Sequence, residues 1–312
     1  MKKIFIDGKE GTTGLRIFER LNGRDDISLL TLCDEDRKNP VKRREMINSA
    51  DIVFLCLPDD AAREAVSMLK NETTKIIDAS TAHRTENGWS YGFPELSEDF
   101  RKKIEKGRFS AVPGCHASGF NSIVYPLTSM GIMPKSYPVN CFSLTGYSGG
   151  GKQMIAEYEN KNERSGELDS PRQYALTQSH KHLKEMKHIS MLESEPLFSP
   201  IVADFYSGMQ VSIPVYTSLL SKKYTMKDIH KIFCEHYKNS AFIKITPLGE
   251  EKPFMAANML SSKDSMLITI SGNDERVLIT STFDNLGKGA SGAAVQCMNI
   301  MMNADEATGL EL

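Results

Sequence analysis

Residues 3–14 read KIFIDGKEGTTG, a short apolar segment that runs directly into a glycine-rich turn. The apolar residues predict a β-strand, and Leu15, Phe18 and Leu21 predict one apolar face of a helix after the turn. Strand, glycine turn and helix in this order form the context that a dinucleotide-binding fingerprint requires. The segment therefore predicts that the chain begins with a nucleotide-binding α/β domain.

The glycine spacing is Gly-x-x-Gly-x-x-Gly rather than the commoner Gly-x-Gly-x-x-Gly. It still permits a tight turn and a close approach of the backbone to a pyrophosphate at the helix N-terminus. An ordinary turn is the alternative interpretation, because glycine also marks turns that bind nothing. The residues of this turn expected to contact the cofactor are Gly8, Gly11, Thr12, Thr13 and Gly14.

A charged segment follows the second predicted strand, residues 27–32. Asp34 lies about twenty residues beyond Gly14, where an acidic residue would bind a ribose 2′-hydroxyl and favour NAD. Arg37 and Lys38 favour NADP instead, because a 2′-phosphate needs cations. A solvated charged loop is the third interpretation. We expect NADP.

Further strands are predicted at residues 51–57 and 75–78, with a helix at residues 61–69 between them. This alternation predicts a doubly wound parallel sheet, whose ligand crevice lies at the carboxyl ends of the strands. The residues expected at those ends are Pro58, Ser80 and Cys115, the first two as cofactor contacts.

The second half predicts a different architecture. Longer strands are expected at residues 139–144, 210–216, 265–271 and 276–283, with a helix at 224–237. Residues 210–215 alternate apolar and polar side chains, which is typical of a sheet covered on one face. We therefore expect an α+β domain built on a mainly antiparallel sheet, spanning residues 115–285. Residues 1–114 and 286–312 are expected to form the nucleotide-binding domain, with residues 305–312 frayed.

Cys115 follows Pro113 and Gly114 at the start of a predicted helix, whose apolar face includes Phe120 and Leu127. The helix dipole favours a thiolate at that end, and the thiolate is the nucleophilic form of cysteine. A buried, inert cysteine is the alternative. Pro126 is expected to kink this helix or to end its first half.

Two glycine-rich loops, residues 145–152 and 285–289, are candidates for anion binding, and a histidine pair is a candidate for proton transfer. Consecutive backbone N–H groups at residues 145–152 form a plausible nest for an anion, although a flexible hairpin or linker would look the same. His180 and His182 are candidate acid/base groups for Cys115, and a solvated basic loop is the alternative. Zinc on Cys115, His116, His180 and His182 is disfavoured by their spacing, so no metal is expected. The expected substrate contacts are Arg84, Ser148, Gly149, Gly150, Lys152 and Glu185, and the further cofactor contacts are Asn285 and Gly287.

The composition narrows the class of protein. The 312 residues include 38 basic and 40 acidic side chains, a formal net charge of −2, which gives no electrostatic case for nucleic acid or a membrane surface. Asp7 and Gly8 break the N-terminal apolar stretch after three residues, so no signal peptide is expected. The six cysteines contain no Cys-x-x-Cys pair, which suits free thiols in a reducing cytoplasm.

Seven motifs of the chain together resemble one known family. They are residues 8–14, 78–84, 91–96, 113–115, 146–152, 180–182 and 285–292. In this order they are similar to the short form of the N-acetyl-gamma-glutamyl-phosphate reductases of arginine biosynthesis. The histidine segment differs from the His-Arg-His-Thr-Pro-Glu of longer members, which leaves open whether His180 or His182 is the base. His116 stands where an aromatic residue is frequent.

The resemblance implies a Rossmann-type NADP domain and a catalytic, oligomerising domain shared with aspartate-semialdehyde dehydrogenase. It implies NADPH-dependent reduction of N-acetyl-L-glutamyl 5-phosphate to the 5-semialdehyde and phosphate, through a thioester on Cys115, in a homodimer or homotetramer. Two alternative functions remain. The protein could be a reductase of another acyl phosphate, similar to aspartate-semialdehyde dehydrogenase, or a non-catalytic NADPH-binding sensor. Turnover with each aldehyde would separate them.

Overall fold

A computed structural model of the protein describes residues 1–160, 162–250 and 252–312. The chain forms two compact units. The first comprises residues 1–114 and 290–311, and the second comprises residues 115–289. Leu286 to Gly289, which sequence analysis assigned to the nucleotide-binding part, are thus grouped with the second unit.

The first unit is a parallel sheet with helices on both faces, as predicted. Its strands, numbered in chain order, are β1 (Lys2–Asp7), β2 (Ile27–Leu30), β3 (Ile52–Leu55), β4 (Lys75–Asp78), β5 (Ser90–Tyr91) and β6 (Phe109–Ala111). Its helices are α1 (Thr12–Leu21), α2 (Pro40–Ser49), α3 (Asp59–Ser67), α4 (Glu98–Lys106) and α9 (Gly292–Met302). The strand order is β2-β1-β3-β4-β6-β5, so the order reverses between β1 and β3. Ligands of doubly wound sheets bind at this switch point.

Alternate residues of the central strands enter two separate cores. Ile4 and Ile6 of β1 pack in a cluster with α1, α4 and α9, whereas Phe5 packs on the other side with α2 and α3. The small residues of α9, such as Ala293 and Ala294, are buried in the first cluster. The last helix of the chain therefore completes the core of the first unit.

The expectation that residues 305–312 are frayed is wrong. Asn299 of α9 donates its side-chain amide to the backbone oxygens of Glu306 and Thr308, both at 2.9 Å. Arg24 also donates to the oxygen of Thr308, at 3.1 Å, and the Glu306 carboxylate pairs with Arg101. These partners lie far away in the sequence, so the local composition of the segment could not reveal them.

The second unit is a mixed sheet flanked by helices. Its strands are β7 (Asn140–Gly146), β8 (Arg172–Gln173), β9 (Leu197–Ala203), β10 (Met209–Tyr216), β11 (Ile243–Ile245), β12 (Met266–Gly272) and β13 (Arg276–Phe283). Its helices are α5 (Cys115–Ser129), α6 (Gly151–Glu159), α7 (His182–Ile189) and α8 (Met226–Tyr237). The order is β11-β12-β13-β10-β7-β9-β8, with parallel pairing between β11 and β12 and between β7 and β9 and antiparallel pairing elsewhere. The mainly antiparallel sheet is thus as predicted, and the buried and half-buried residues of β10 alternate as expected.

Pro126 does not end helix α5, which continues to Ser129. A proline has no N–H to donate to the carbonyl four residues before it, and here that carbonyl belongs to Ser122. The hydroxyl of Tyr237 on α8 donates to it instead, at 2.7 Å. The helix therefore tolerates the proline because a side chain from another helix supplies the missing donor.

Close contact between α5 and the sheet depends on Gly119. A Cβ atom there would lie 2.4 Å from the Val211 side chain and 2.8 Å from that of Phe283.

Within the described residues, no helix is both long and apolar enough to span a bilayer.

Candidate active site

The glycine turn after β1 has the geometry that sequence analysis expected. Gly8 has a φ of +87°, and a Cβ atom there would lie 2.3 Å from the carbonyl oxygen of Cys56 at the end of β3. A Cβ atom on Gly14 would lie 2.5 Å from the carbonyl oxygen of Gly8. Glycine is thus required at both positions, and the turn is folded tightly against the neighbouring strand.

Helix α1 begins at this turn with Gly11 as its N-cap residue. No side chain among the described residues caps this end, so the N–H groups of Thr12 and Thr13 are not tied to a capping side chain. A cavity of about 480 Å³ lies beside the turn. Its lining includes Gly8, Lys9, Gly11, Leu32, Asp34, Arg37, Lys38, Arg43 and Leu57. The cavity, the turn and the helix N-terminus together fit a dinucleotide, with its phosphates at the glycines.

The cations of this cavity differ in how they are engaged. Arg37 lies 3.8 Å from Asp34 in a solvent-exposed ion pair, which leaves both accessible to a ligand. Arg43 was missed by sequence analysis, and it is bound to the Asp7 carboxylate at 2.9 Å and to Glu64 at 3.2 Å. Burial raises the pKa of Asp7 despite this pairing. Arg43 therefore stabilises the end of β1, whereas Arg37 and Lys38 remain the candidates for a 2′-phosphate.

Two other predicted cofactor residues of the first unit have local roles. Pro58 precedes α3 as its N-cap residue. Ser80 is buried and donates its hydroxyl to Asp78 at 2.7 Å, while His83 contacts the same carboxylate at 2.6 Å. Ser80 thus organises the loop after β4, and a direct cofactor contact by its side chain would have to share this hydroxyl.

Arg84, a predicted substrate contact, also lies in the first unit. Its Nε atom donates to the carbonyl oxygen of Val112 at 2.9 Å, and Nη2 donates to that of Ala79 at 3.3 Å. The guanidinium therefore connects the loop after β4 to the segment after β6. Some of its donors are committed to the backbone rather than presented as a bidentate clamp.

Cys115 is the first residue of α5 and is partly exposed. Gly289 packs against it, because a Cβ atom on Gly289 would lie 3.1 Å from the Cβ atom of Cys115. Residues Gly287–Ser291 form a single π-helical turn here, a feature often found at functional sites. The second glycine-rich loop thus packs against the Cys115 side chain, as sequence position alone could not show.

The two glycine-rich loops of the second unit meet through Asn285. Its amide donates to the Ser148 hydroxyl at 3.0 Å and accepts the backbone N–H of Gly208 at 2.8 Å. Gly149 follows Ser148, and a Cβ atom built on Gly149 would lie 3.5 Å from the amide nitrogen of Asn285. Asn285 was expected to contact the cofactor, and the hydrogen bonds that it makes lie within the second unit. Gly287 also lies there, with its N–H 3.3 Å from the Asp284 carboxylate.

The segment at residues 145–152 runs from the end of β7 through a 3-10 turn, Tyr147–Gly150, into the start of helix α6. Gly150 is the N-cap residue of α6, and Gly151 has a φ of +75°. Lys152 lies exposed in the first turn of this helix. The helix N-terminus and this cation are suited to an anionic group, in agreement with the predicted nest.

Three histidines of the second unit converge. One ring nitrogen from each of His116, His180 and His182 lies within 4.8 Å of the others. The ring centroids of His180 and His182 are 4.8 Å apart, and that of His116 is 5.5 Å from His182. His116 is the residue after Cys115, so the cluster adjoins the thiol along the chain.

His116 was not predicted to be a catalytic residue. Its surroundings explain why its imidazole is neutral. Nδ1 contacts the Ser143 hydroxyl at 2.6 Å, and Nε2 contacts the Tyr174 hydroxyl at 2.7 Å. Burial lowers the pKa of His116 to about 3, with smaller effects of His180 and Lys181. Both ring nitrogens are therefore engaged by hydroxyl groups, which argues against their use as metal ligands. Nothing in the sequence next to Cys115 points to Ser143 or Tyr174.

His180 and the loop before it are fixed by hydrogen bonds. The Gln178 side chain accepts the N–H of Phe198 at 2.9 Å and donates to its carbonyl at 2.8 Å, as a neighbouring strand would. His180 accepts the backbone N–H of His182 at Nδ1, at 3.2 Å. Burial lowers the pKa of His180 to about 4. His182 and Glu185 are buried on successive turns of α7.

Two family models match the chain. Residues 3–105 match the family described as semialdehyde dehydrogenase, NAD binding domain, and residues 115–285 match semialdehyde dehydrogenase, dimerisation domain. Together they cover most of the two units.

Curated relatives match over nearly the whole length. A protein of Nostoc sp. named N-acetyl-gamma-glutamyl-phosphate reductase 2 is 43% identical, over 99% of this chain and 99% of its own. A protein of Sinorhizobium medicae named N-acetyl-gamma-glutamyl-phosphate reductase is 44% identical, over 97% of this chain and 99% of its own.

Among solved structures, the aspartate semialdehyde dehydrogenase of Francisella tularensis has a TM-score of 0.73 at 14% identity, covering 97% of this chain and 100% of that chain. Aspartate semialdehyde dehydrogenase II of Vibrio cholerae has a TM-score of 0.72 at 16% identity, covering 97% and 99%. At these identities the likeness shows a shared fold.

Proposed function

The chain belongs to the N-acetyl-gamma-glutamyl-phosphate reductase family, and from this membership we propose the reaction and the roles of its residues. The reaction is NADPH-dependent reduction of N-acetyl-L-glutamyl 5-phosphate to N-acetyl-L-glutamate 5-semialdehyde and inorganic phosphate. The protein is accordingly an oxidoreductase of arginine biosynthesis. The observation that supports the proposed mechanism most strongly is the convergence of Cys115, the histidine cluster and two glycine-rich loops within one unit.

The cofactor is held by the first unit. Gly8, Gly11 and the first N–H groups of α1 bind the pyrophosphate, and Arg37 with Lys38 binds the 2′-phosphate that distinguishes NADP from NAD. The bound cofactor supplies the hydride that reduces the acyl group. Both cations line the same cavity as the glycine turn, which favours NADP over NAD.

Cys115 provides the nucleophile. Its thiolate attacks the carbonyl carbon of the acyl phosphate, and the carbon–oxygen bond to phosphate breaks to give a thioester and inorganic phosphate. Hydride addition to the thioester then gives a tetrahedral oxyanion, which collapses to the aldehyde and releases the thiolate. Backbone N–H groups at the start of α5 stabilise the oxyanion, because they point to the charge that develops beside Cys115.

His182 accepts the proton of the Cys115 thiol, which gives the attacking thiolate, and passes that proton to the departing phosphate. His180 is a less suitable proton carrier, because its Nδ1 atom is committed to the backbone and its pKa of about 4 keeps it neutral. A neutral imidazole whose Nδ1 accepts carries its proton on Nε2, so His180 acts as a fixed hydrogen-bond donor.

The substrate's anionic groups bind at the N-terminus of α6. The backbone N–H groups of Gly149 and Gly150 and the ammonium of Lys152 supply the positive field. Ser148, oriented by Asn285, provides a hydroxyl at the same loop. Arg84 and Glu185 remain proposed substrate contacts on the strength of their motifs.

The activity is tested in the reverse direction. We expect phosphate-dependent reduction of NADP when N-acetylglutamate 5-semialdehyde is supplied, and a much lower kcat/KM with aspartate semialdehyde. A preference for aspartate semialdehyde would assign the chain to another acyl-phosphate reductase. NADPH binding without phosphate-dependent turnover of either aldehyde would indicate the sensor.

We propose that the protein is a homodimer or homotetramer through the outer face of the second sheet. Strands β7, β9 and β13 expose large apolar side chains, with 49% of Phe142, 55% of Leu197 and 40% of Leu278 accessible. Such a patch is unusual on a monomer. Analytical ultracentrifugation tests this, and Leu278→Lys should shift the distribution towards monomer. We further propose a cytoplasmic location, where the six free cysteines would remain reduced.

A further inference from the structure

A hydrogen-bonded chain of three side chains runs to the residue next to Cys115. The Ser143 hydroxyl on β7 lies 2.6 Å from Nδ1 of His116, and Nε2 of the same ring lies 2.7 Å from the Tyr174 hydroxyl. Ser143 is fully buried, and His116 is 3% exposed. The Ser143 and His116 side chains are thus shielded from water, whereas Tyr174 at the other end is half-buried.

The hydrogen bonds from Ser143 through His116 to Tyr174 can run in two directions, because a neutral imidazole offers one N–H and one lone pair. If Nδ1–H donates to Ser143, then Nε2 accepts the Tyr174 proton and the phenol presents only lone pairs to its other neighbours. If the Ser143 hydroxyl donates to Nδ1, then Nε2–H donates to the phenol oxygen and the Tyr174 proton can point away from His116. His116 stays neutral in both arrangements, since burial lowers its pKa to about 3.

The charge on Cys115 distinguishes the two directions. Burial, and in second place the negative charge of the Cys115 thiolate, raises the pKa of Tyr174, so the phenol keeps its proton beside that charge. An O–H dipole directed at a thiolate is attractive, whereas a phenol lone pair directed at it is repulsive. Ionisation of Cys115 therefore favours the arrangement in which Ser143 donates. The other titratable groups around this chain are His180, Lys181 and His182.

We propose that Ser143, His116 and Tyr174 form a reversible hydrogen-bond chain that turns the Tyr174 proton towards Cys115 and stabilises its thiolate. Tyr174, His116 and Ser143 are positioning residues in this account. The inference deepens the proposed function, since it takes Cys115 as the nucleophile. It gives a role to His116, the residue next to Cys115. The glycine-rich loops and the other two histidines already have roles in the proposed reaction.

The test is the rate at which Cys115 is alkylated by iodoacetamide as a function of pH. Tyr174→Phe removes one oxygen atom and should lower the rate near neutral pH about tenfold, the effect of losing one hydrogen bond to a charged group. The pH midpoint of alkylation should rise accordingly. The peptide that contains Cys115 is quantified by mass spectrometry, with the exposed Cys33 and Cys234 as references in the same sample.

Matched variants distinguish an effect of these hydrogen bonds on Cys115 from an effect of side-chain packing. Tyr224→Phe removes a phenol oxygen elsewhere in the second unit and should leave the Cys115 profile unchanged. His116→Gln retains an amide donor for Tyr174 and should resemble the wild type, whereas His116→Phe should alkylate as slowly as Tyr174→Phe. If His116→Phe does not fold, the comparison of Tyr174→Phe with Tyr224→Phe still decides.

An unchanged profile in folded Tyr174→Phe would overturn the proposal. Equal slowing in Tyr224→Phe would overturn it too, because the effect would then not depend on position. Alkylation is read without turnover, so these outcomes are independent of the reductase assay. Loss of phosphate-dependent turnover with a normal Tyr174 effect would instead reject the proposed function alone.

Discussion

His180 holds the main chain of His182, because Nδ1 of His180 accepts the backbone N–H of His182 at 3.2 Å. This bond fixes the start of α7 and leaves His180 with its proton on Nε2. The two imidazoles of the His-Lys-His segment, which look equivalent in the sequence, are therefore different chemically. One accepts a backbone hydrogen bond that fixes the start of α7, and the other is the candidate proton carrier.

We therefore predict unequal effects of two matched substitutions. His182→Asn should lower kcat by about a hundredfold or more, the usual contribution of acid–base catalysis. His180→Asn keeps an acceptor near the Nδ1 position and should lower kcat only by about tenfold, the effect of one lost donor. Steady-state kinetics with N-acetylglutamate 5-semialdehyde measures both. A His182→Asn enzyme within twofold of the wild type would transfer the role to His180.

Cys115→Ser should abolish reduction while leaving NADPH binding intact. The hydroxyl is a far poorer nucleophile than a thiolate, and the cofactor residues of the first unit are unchanged. Turnover and the Kd for NADPH, the latter by calorimetry, are measured on the same preparation. A wild-type rate in this variant would contradict the thioester mechanism.

Arg37→Ala with Lys38→Ala should weaken NADPH binding much more than NADH binding. Two exposed cations beside a 2′-phosphate contribute about tenfold or more in KM at low salt, and the contribution falls as ionic strength rises. The ratio of kcat/KM for the two cofactors is the readout. If both cofactors lose affinity equally, the two cations do not read the 2′-phosphate.

Gly8→Ala should destabilise the protein more than Gly23→Ala, although both glycines have positive φ values of +87° and +85°. The strain of the backbone is similar, but only the Cβ atom on Gly8 would meet another atom closely, at 2.3 Å from the oxygen of Cys56. We expect about 1 kcal/mol for Gly23→Ala and at least about 2 kcal/mol more for Gly8→Ala. Urea denaturation measures the difference, and equal losses would show that the turn can relax.

His116 should make the fold sensitive to acid. Its pKa is about 3 in the folded protein against an ordinary value of 6.5, so below pH 6.5 the unfolded chain binds a proton that the folded chain refuses. Stability is therefore retained above pH 6.5 and lost as the pH falls towards 3. His116→Gln should make the dependence shallower by about one proton, or about 1.4 kcal/mol per pH unit. Equal slopes for the variant and the wild type between pH 6 and pH 4 would contradict this prediction.

The strands and the nucleotide turn were predictable because their signals are local. Lys75–Asp78 and Arg276–Phe283 have the boundaries that apolar runs indicated. Strand β9 was missed, since Pro200 interrupts its pattern and its partner β7 lies more than fifty residues earlier. Pro126 was judged by the same local rule, which could not anticipate a donor from Tyr237.

The site was predictable in part for the same reason. Cys115 and the histidine pair carry recognisable motifs, whereas Ser143 and Tyr174 acquire meaning only through their distance to His116. Asn285 was assigned to the cofactor from its loop, which stays a prediction, and no feature of the sequence indicated its hydrogen bond to Ser148. Long-range contacts of single polar side chains leave no periodic trace in a sequence.

The long stretch of sequence between β1 and α9 has a consequence for synthesis on the ribosome. Ala293, Val295 and Met298 belong to the same buried cluster as Ile4 and Ile6, although nearly three hundred residues separate the two groups. Translation therefore exposes one apolar face of the first sheet until α9 has left the exit tunnel. Chaperones should engage this nascent chain at its amino-terminal third, and truncation before α9 should yield aggregates rather than a shorter folded protein.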